Sequence, residues 1–461
     1  MQPADYLFHF DDLVDASSRV QIVDRYTGSS REVLATIDDS QFPHILFRQI
    51  PSLHADLIDL AIAVHIADRF AIGRADLPRR LQIQLALRHP ELFNQVAVTD
   101  KLREILLWYT DDQWDFAFTS RQASGRIAEL RGCLDLGQAQ RATEVALWSG
   151  GLDSLAGLVN RMATETAEHY LLFGSGSNSQ LHTRQRELAI ALATRQLQPV
   201  SCAQVIYRCA ATDTPRNRNQ RARGFVFMLL GAVCALLVDQ HQLHIYENGV
   251  GAINLPFRAS EVGLDHTRAV HPISLFEMSA LVSQIVNVNF RFVNPFVFQT
   301  KADMCAILRD VRYHPLVAQT VSCDRLHRDV PSQCGSCSSC LLRKQGLHAA
   351  GVQDDTRYLF PSTNEKRPYR LSIGNHLRAM LWQARVLRQL LVTDNPWKSL
   401  ARYYPRMMDI IDRTAAFEGL APMRMQDQFV QMYQRYANEW DDVRPYIERG
   451  LLGDEELREA A

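Results

Sequence analysis

Short apolar runs, each followed by turn residues and a helix-spaced segment, recur along the 461 residues of this chain. Leu81, Ile83, Leu85 and Leu87 alternate with more polar neighbours, and so do Trp114, Phe116 and Phe118, the period-2 pattern of half-buried strands. Segments 5–10, 19–24 and 45–47 are further strand candidates. Leu57, Leu60, Ala61 and Val64 fall on one face of a helix predicted over 57–72. This mixture predicts an α+β accessory module over residues 1–140. Within it, Asp68-Arg69 and Asp111-Asp112 read as solvated ends of elements.

The pattern then changes. Val145–Trp148, Tyr170–Phe173 and Val205–Cys209 are nearly continuous apolar runs, as expected of strands covered on both faces. Each leads through a turn into a helix-compatible stretch. That alternation predicts right-handed crossovers and an α/β, doubly wound parallel sheet over residues 141–350. Ligands of such sheets sit at the carboxyl ends of the strands. The uncharged run from Gly224 to Val238 reads as a buried helix, being shorter than the roughly 20 residues of a membrane span. Beyond Ala350 the spacing is helical, and residues 351–461 form a predicted helical extension. Leu377, Leu381, Ala384, Leu387 and Leu391 make one stripe; Phe429, Tyr433, Tyr436 and Trp440 make another. Such stripes are core, or else a docking face for a partner. Gly453 to Glu456 reads as an acidic tail.

Fifty basic and fifty-one acidic residues leave a net charge of −1, so no global field draws the chain to nucleic acid or to a membrane surface. The first residues, Met-Gln-Pro-Ala-Asp, lack the basic and apolar blocks of a signal peptide, and a cytoplasmic location is expected.

The strongest chemical signal is Ser149-Gly150-Gly151-Leu152-Asp153-Ser154, between a buried strand and a helix. Free N–H groups converge there on the positive end of the helix dipole, a ready anion site. Glycines let the backbone approach a phosphate closely. No Gly-Lys-Ser/Thr follows, which argues against a P-loop and γ-phosphate transfer. Arg221 and Arg223 open the long apolar helix and are candidates for clamping phosphate or carboxylate. Lys301 opens a later helix and is a candidate partner for a phosphate or acyl-adenylate. Glu247-Asn248-Gly249 ends another strand, and the stretch 250–272, holding Asn254, His266 and His271, is expected to be a substrate loop. A metal role for the two histidines has only their spacing behind it.

Cys323, Cys334, Cys337 and Cys340 supply four thiolates, the number that closes a tetrahedral Zn²⁺ shell and leaves no position for water. An iron–sulfur cluster is the rival occupant. The other five cysteines are scattered, as befits a reducing compartment.

Taken together, the Ser-Gly-Gly-x-Asp-Ser loop and the later cysteine knot resemble the QueC family of 7-cyano-7-deazaguanine (preQ0) synthases. Their motifs match Ser149–Ser154, Gln185-Arg186, Lys301, Cys334–Cys340, Leu342-Arg343 and Gly346-Leu347 here. The family's Asp-Ser-Gly-Tyr-Pro-Asp stretch has no match between Glu247 and Pro272. With its added N-terminal module and helical extension, the chain looks like the larger QueC-like proteins of anti-phage operons, the Qat system and type IV CBASS. The resemblance implies an adenine-nucleotide α-hydrolase fold and a pyrophosphate loop that binds ATP. It implies a ligase that adenylates a 7-carboxy-7-deazaguanine-like acid and couples it to an amine, either ammonia or the N-terminus of a protein from the same operon. On this reading Ser149, Gly150, Gly151, Leu152, Asp153 and Ser154 hold the nucleotide, and Asp153 helps to hold Mg²⁺. Asp153, Ser154, Lys301, Arg221 and Arg223 are the candidate catalytic residues, while Glu247, Asn248 and Asn254 are expected to bind substrate. A tRNA-modifying adenylating enzyme and a non-catalytic nucleotide sensor or scaffold are the alternatives.

Overall fold

The computed structural model describes residues 4–12, 17–42, 49–73, 77–123, 125–130, 143–164, 167–176, 178–195, 198–210, 216–217, 220–258, 268–324, 332–359 and 367–459. The strand candidate at 45–47, the module boundary near residue 140, Cys133 and His266 lie outside them.

Ten strands form one sheet: β1 (Tyr6–Phe10), β2 (Ser17–Asp24), β3 (Ser29–Asp38), β4 (Arg80–Leu87), β5 (Gln113–Ser120), β6 (Thr143–Leu147), β7 (His169–Gly176), β8 (Val200–Ala210), β9 (Gln242–His244) and β10 (Arg291–Val293). Their order is β10-β9-β6-β7-β8-β3-β2-β1-β4-β5. The stretch from β10 to β8 is wholly parallel, as the continuous apolar runs require. β6 lies centrally in it, and its carboxyl end delivers the glycine turn.

The N-terminal strands continue this sheet through an antiparallel seam, in which Leu34–Asp38 of β3 pair with Ile206–Ala210 of β8. β3 carries the alternation Val33, Ala35, Ile37 inward with Glu32 and Leu34 outward, a signal weakened by its flanking serines and arginine. Neither it nor β10 stood out from sequence.

Among the described residues the helices longer than one turn are α1 (Ser52–Phe70), α2 (Val96–Thr110), α3 (Leu152–Thr164), α4 (Ser179–Ala193), α5 (Arg223–Leu236), α6 (Gly249–Ile253), α7 (Pro272–Val286), α8 (Lys301–Cys305), α9 (Ser338–Ala349), α10 (Arg367–Leu391), α11 (Pro396–Tyr403), α12 (Arg406–Thr414) and α13 (Pro422–Glu459). α1, α2, α5 and α7 cover one face along its whole length, meeting Phe8, Ile22, Ile83, Val145, Leu171 and Val205. α3 and α4 cover the other face of the parallel half, meeting Ala146, Trp148, Tyr170 and Leu172. Val145–Leu147 of β6 and Tyr170–Phe173 of β7 therefore alternate between two cores, and each of these side chains is apolar or aromatic for that reason. Each Leu or Phe so buried contributes about 1.5–3 kcal/mol.

One residue of each pair read as solvated, Asp68 and Asp112, is buried. Arg79 is buried and donates to both Asp68 and Asp112, at 2.7 and 2.5 Å, and Asp68 also accepts from the Ala222 amide. They brace α1 against β4 and the start of α5.

α10–α13 form a third core with Val250, Ile253, Val297 and Leu341 of the parallel half. Phe429, Tyr433, Tyr436 and Trp440 are all at most 1% exposed. Leu377, Ala384, Leu387 and Leu391 are buried against them, with Leu381 half-buried. Both stripes are core. α13 carries helical backbone through Gly453–Glu456, where sequence suggested a tail.

Candidate active site

β6 ends in Trp148, whose indole N–H donates to the Gln185 carbonyl at 2.9 Å while the Gln185 side chain donates to Ser149 O at 3.2 Å. The turn between is tight. Gly150 has φ +72°, a region closed to most L-residues, and a Cβ there would stand 3.1 Å from Gln185 Cγ. Hydroxyl groups occupy the loop amides: Gly151 N donates to Ser149 Oγ at 3.1 Å and Leu152 N to Ser322 Oγ at 3.0 Å. Ser154 Oγ lies 2.7 Å from Ser149 Oγ and so buttresses the turn. Each hydroxyl oxygen sits where an anionic oxygen would satisfy the same N–H.

Asp153, in the first turn of α3, accepts a very short hydrogen bond from Lys301 Nζ through Oδ2. Its Oδ1 is buried with no hydrogen-bond partner among the described residues. Glu247 completes the cluster. Burial and the Asp153 charge push its carboxyl well above the usual carboxylate range, against the opposing pull of Lys301. Burial disfavours the Lys301 ammonium, yet the Asp153 and Glu247 carboxylates outweigh that and raise its pKa. Two carboxyls thus share one buried cation, and burial favours the neutral form of Glu247.

Lys301 is held on several sides. It is the first residue of α8, whose cap is Thr300: Thr300 Oγ1 accepts from Asp303 N at 3.1 Å, and Asp303 reciprocates at Thr300 N. Its aliphatic stem lies on Gly346, where a Cβ would come within 2.6 Å of Lys301 Cγ. Glu439 of α13 accepts from Thr300 Oγ1 and Gln345 Nε2, both at 2.6 Å. Sequence gave no sign of Glu439, because it sits within an aromatic core stripe.

Asn248 caps α6, accepting from Gly251 N and donating to Glu247 Oε1, both at 2.9 Å. Asn254 ends the same short helix in the left-handed region at φ 53°. The expected substrate loop therefore begins as a helix whose Asn248 end is tied to the carboxyl cluster. His271 caps α7 by accepting from Ile273 N at 3.2 Å, and burial together with Arg413 lowers its pKa to about 3.

The two arginines are placed elsewhere. Arg221 pairs with Asp111 at 2.5 Å, and Arg223 lies over the Phe227 ring. They open a buried helix, as expected, but that helix starts against the N-terminal module: Arg221 is engaged there, and Arg223 packs on Phe227 of its own helix.

All four sulfurs of Cys323, Cys334, Cys337 and Cys340 are buried within 4.8 Å of one another. The Cys323–Cys337 and Cys334–Cys340 separations are both 3.8 Å. Tetrahedral Zn–S bonds of about 2.3 Å set the sulfurs that far apart, so the knot fits one zinc-sized ion. It also reaches the loop: Val321 N donates to Gly150 O at 3.0 Å, beside the Ser322 contact. Fully buried Arg343 holds this strap by donating to Thr320 Oγ1 at 2.6 Å and Val317 O at 2.7 Å. Adjacency to Cys323 was the only sequence signal for Ser322.

A parallel α/β sheet with a glycine-turn anion site, a buried lysine–dicarboxylate cluster and a four-cysteine knot is the class of protein this geometry defines. Comparison with known proteins agrees with it. Residues 271–351 match the family described as "Queuosine biosynthesis protein QueC". The 7-cyano-7-deazaguanine synthase of Methylococcus capsulatus is 29% identical over 230 residues, 46% of this chain and 97% of the relative. That of Ralstonia pickettii is 28% identical over 47% of this chain and 98% of the relative. In the synthase of Cellvibrio japonicus, 41 residues are 56% identical, covering 9% of this chain and 18% of the relative. The chain is QueC-like over about half of its length, with further sequence beyond it. No helix among the described residues is long and apolar enough to cross a membrane.

Proposed function

We propose that the chain is an ATP-dependent C–N ligase that forms AMP and pyrophosphate. Its acid is a 7-carboxy-7-deazaguanine-like carboxylate, and its acceptor is an amine. The observation that carries this reading is the convergence of the loop amides with Asp153, Lys301 and Glu247 at one strand end.

In the first step a carboxylate oxygen bonds to the α-phosphorus of ATP while the bond to the bridging oxygen breaks, and pyrophosphate departs with that electron pair. The amides of Gly151 and Leu152 exchange their hydroxyl partners for its oxygens. Lys301 offsets charge growing on the phosphates, in a site where water does not screen it. Burial, which favours the neutral form of Glu247, limits the negative charge that a tetra-anionic nucleotide meets on entry. Asp153 is the carboxylate that would hold Mg²⁺, which would supply further charge neutralisation when bound. In the second step the amine nitrogen bonds to the acyl carbon, the bond to AMP breaks, and the amine gives up a proton. The four cysteines would hold Zn²⁺ as a structural ion, and the strap that leads into Cys323 places Ser322 on the loop. Arg221 and Arg223 have no part here.

Two acceptors follow from different observations. The relatives' name, 7-cyano-7-deazaguanine synthase, describes nitrile formation on a small molecule and favours ammonia. The added module and extension, resembling the larger proteins of anti-phage operons, favour the N-terminus of a partner protein. The test is pyrophosphate release from ATP, Mg²⁺ and 7-carboxy-7-deazaguanine, with Asp153→Ala as control. Acid-dependent release abolished in the variant is expected; undiminished release would remove the loop from the chemistry. Intact masses of the neighbouring operon proteins, co-expressed with the chain, then separate the acceptors. An increment fitting a deazaguanine amide marks a protein acceptor, and its absence marks ammonia.

A further inference from the structure

We infer that the helical extension is part of the catalytic scaffold, and that Glu439 on α13 is a positioning residue for Lys301. The inference rests on the proposed role of Lys301 and goes beyond it, because α13 lies outside the matched family region, which ends at residue 351.

One carboxylate bridges the two segments that confine the lysine. Thr300 precedes Lys301 and Gln345 precedes Gly346, on which the lysine stem rests. Glu439 accepts from both Thr300 and Gln345 at 2.6 Å. Thr300 is fully buried and Gln345 is 1% exposed, so neither has water as a substitute partner. Without Glu439, two buried donors lose their acceptor and the cap of α8 is no longer tied to α9.

The same face of α13 continues along the site. One turn before Glu439, Arg435 donates to Asp303 Oδ2 at 3.0 Å and to Phe298 O at 2.9 Å, bracing the other half of the capping box. Tyr436 donates to Gln383 Oε1 at 3.1 Å, and the Gln383 amide donates to the carbonyls of Leu255 and Pro256 at 2.8 and 2.9 Å. That pair fixes the chain just beyond the helix that Asn248 caps. Met432 abuts Gly249, where a Cβ would stand 2.4 Å from its sulfur. Three anchor points from one helix face thus fix the lysine cap, the Glu247-Asn248-Gly249 turn and the loop that follows. A detachable docking module would bury apolar side chains alone; this one puts a carboxylate between two elements of the site.

The test compares Glu439→Ala, Glu439→Gln and Leu400→Ala in the full chain. Leu400 is fully buried in the extension but far from these contacts in sequence, so it reports general destabilisation. Two readouts are taken: kcat and KM for ATP in pyrophosphate release, and labelling of Lys301 by an amine-reactive succinimidyl ester, followed by mass spectrometry. Glu439→Ala is expected to lower kcat about 10–100-fold, the cost of a misplacement near 1 Å, with KM for ATP changed less than about twofold. Lys301 labelling should rise severalfold. Glu439→Gln should recover most of both, since its carbonyl still accepts from Thr300 and its amide can meet the unpartnered Gln345 Oε1.

Wild-type kcat and labelling in Glu439→Ala would overturn the inference. So would an equal loss in Leu400→Ala, which would assign the effect to stability. Should Glu439→Ala fail to fold, Arg435→Ala tests the same brace through a half-exposed pair, with a smaller loss of kcat expected and wild-type kcat again counting against it. If Asp153→Ala leaves pyrophosphate release intact, the proposed function fails by itself, and the labelling readout still decides the role of Glu439.

Discussion

Asp153 and Glu247 flank the same lysine, yet their isosteric amides should behave oppositely. In Asp153→Asn the Lys301 ammonium, whose side chain is 10% exposed, loses the partner of its shortest hydrogen bond. Removing one member of a buried pair costs about 3–5 kcal/mol, because the remaining charge is uncompensated. Burial and the Asp153 charge push the Glu247 carboxyl well above the usual carboxylate range, which favours its neutral form. Glu247→Gln therefore replaces one neutral group with another and should alter stability by less than about 1 kcal/mol. The sign with pH follows. Between the unfolded pKa of a glutamate and its raised folded value, the native state binds the extra proton, so wild-type stability falls as pH rises, by about 1.4 kcal/mol per unit. That contribution is complete below the unfolded pKa and gone above the folded one. Glu247→Gln should lack this slope. Urea unfolding of the three proteins at intervals from pH 5 to 9 gives both quantities. A Glu247→Gln protein destabilised as much as Asp153→Asn, or retaining the wild-type slope, would refute a single shared charge in this site.

Arg221→Ala should leave pyrophosphate release near wild type and cost under about 1 kcal/mol in urea unfolding, because its pair with Asp111 is more than a third exposed. A large loss of kcat would return it to the site. Chelating the knot metal, or Cys340→Ser, should weaken ATP binding measured by calorimetry as well as lowering stability, because the strap that places Ser322 on Leu152 N begins at Cys323; unchanged affinity in metal-free protein would uncouple the two. Trp440→Ala should cost about 3–5 kcal/mol, as expected for a fully buried core tryptophan, whereas a residue of a docking face would change unfolding little.

The parts of the site legible in sequence are those where backbone chemistry restricts residue type. A positive φ at Gly150 and a helix N-terminus at Leu152 fix the wording of the loop, and four thiolates around one ion fix the spacing of the knot. β6 and β7 were legible because both of their faces are buried. What stayed hidden depends on tertiary approach. Glu247 was recognisable as turn chemistry, but the upward push on its carboxyl comes from burial and from Asp153, 94 positions earlier in the chain. Arg221 and Arg223 had the right residue type for a clamp, and only the fold shows Asp111 and Phe227 occupying them. Glu439 and Ser322 act through contacts that no local pattern encodes. The seam between β3 and β8 was hidden too, since β3 has one open face and an alternation broken by charged and hydroxyl residues.

That seam has a consequence for how the chain can be made and divided. Thr36 and Arg208 meet across it although they stand 172 positions apart. On the ribosome, β1–β3 emerge long before β8, and loop closure over such a distance is slow. Meanwhile β3 presents a row of unpaired amides and carbonyls, and β8 does the same in any fragment that begins after residue 142. The five residues of β8 that lose their β3 partners in this way, Ile206–Ala210, are a template for pairing with another copy. The catalytic half expressed alone should therefore self-associate through β8, and adding the first 130 residues as a separate polypeptide should suppress it by covering that edge.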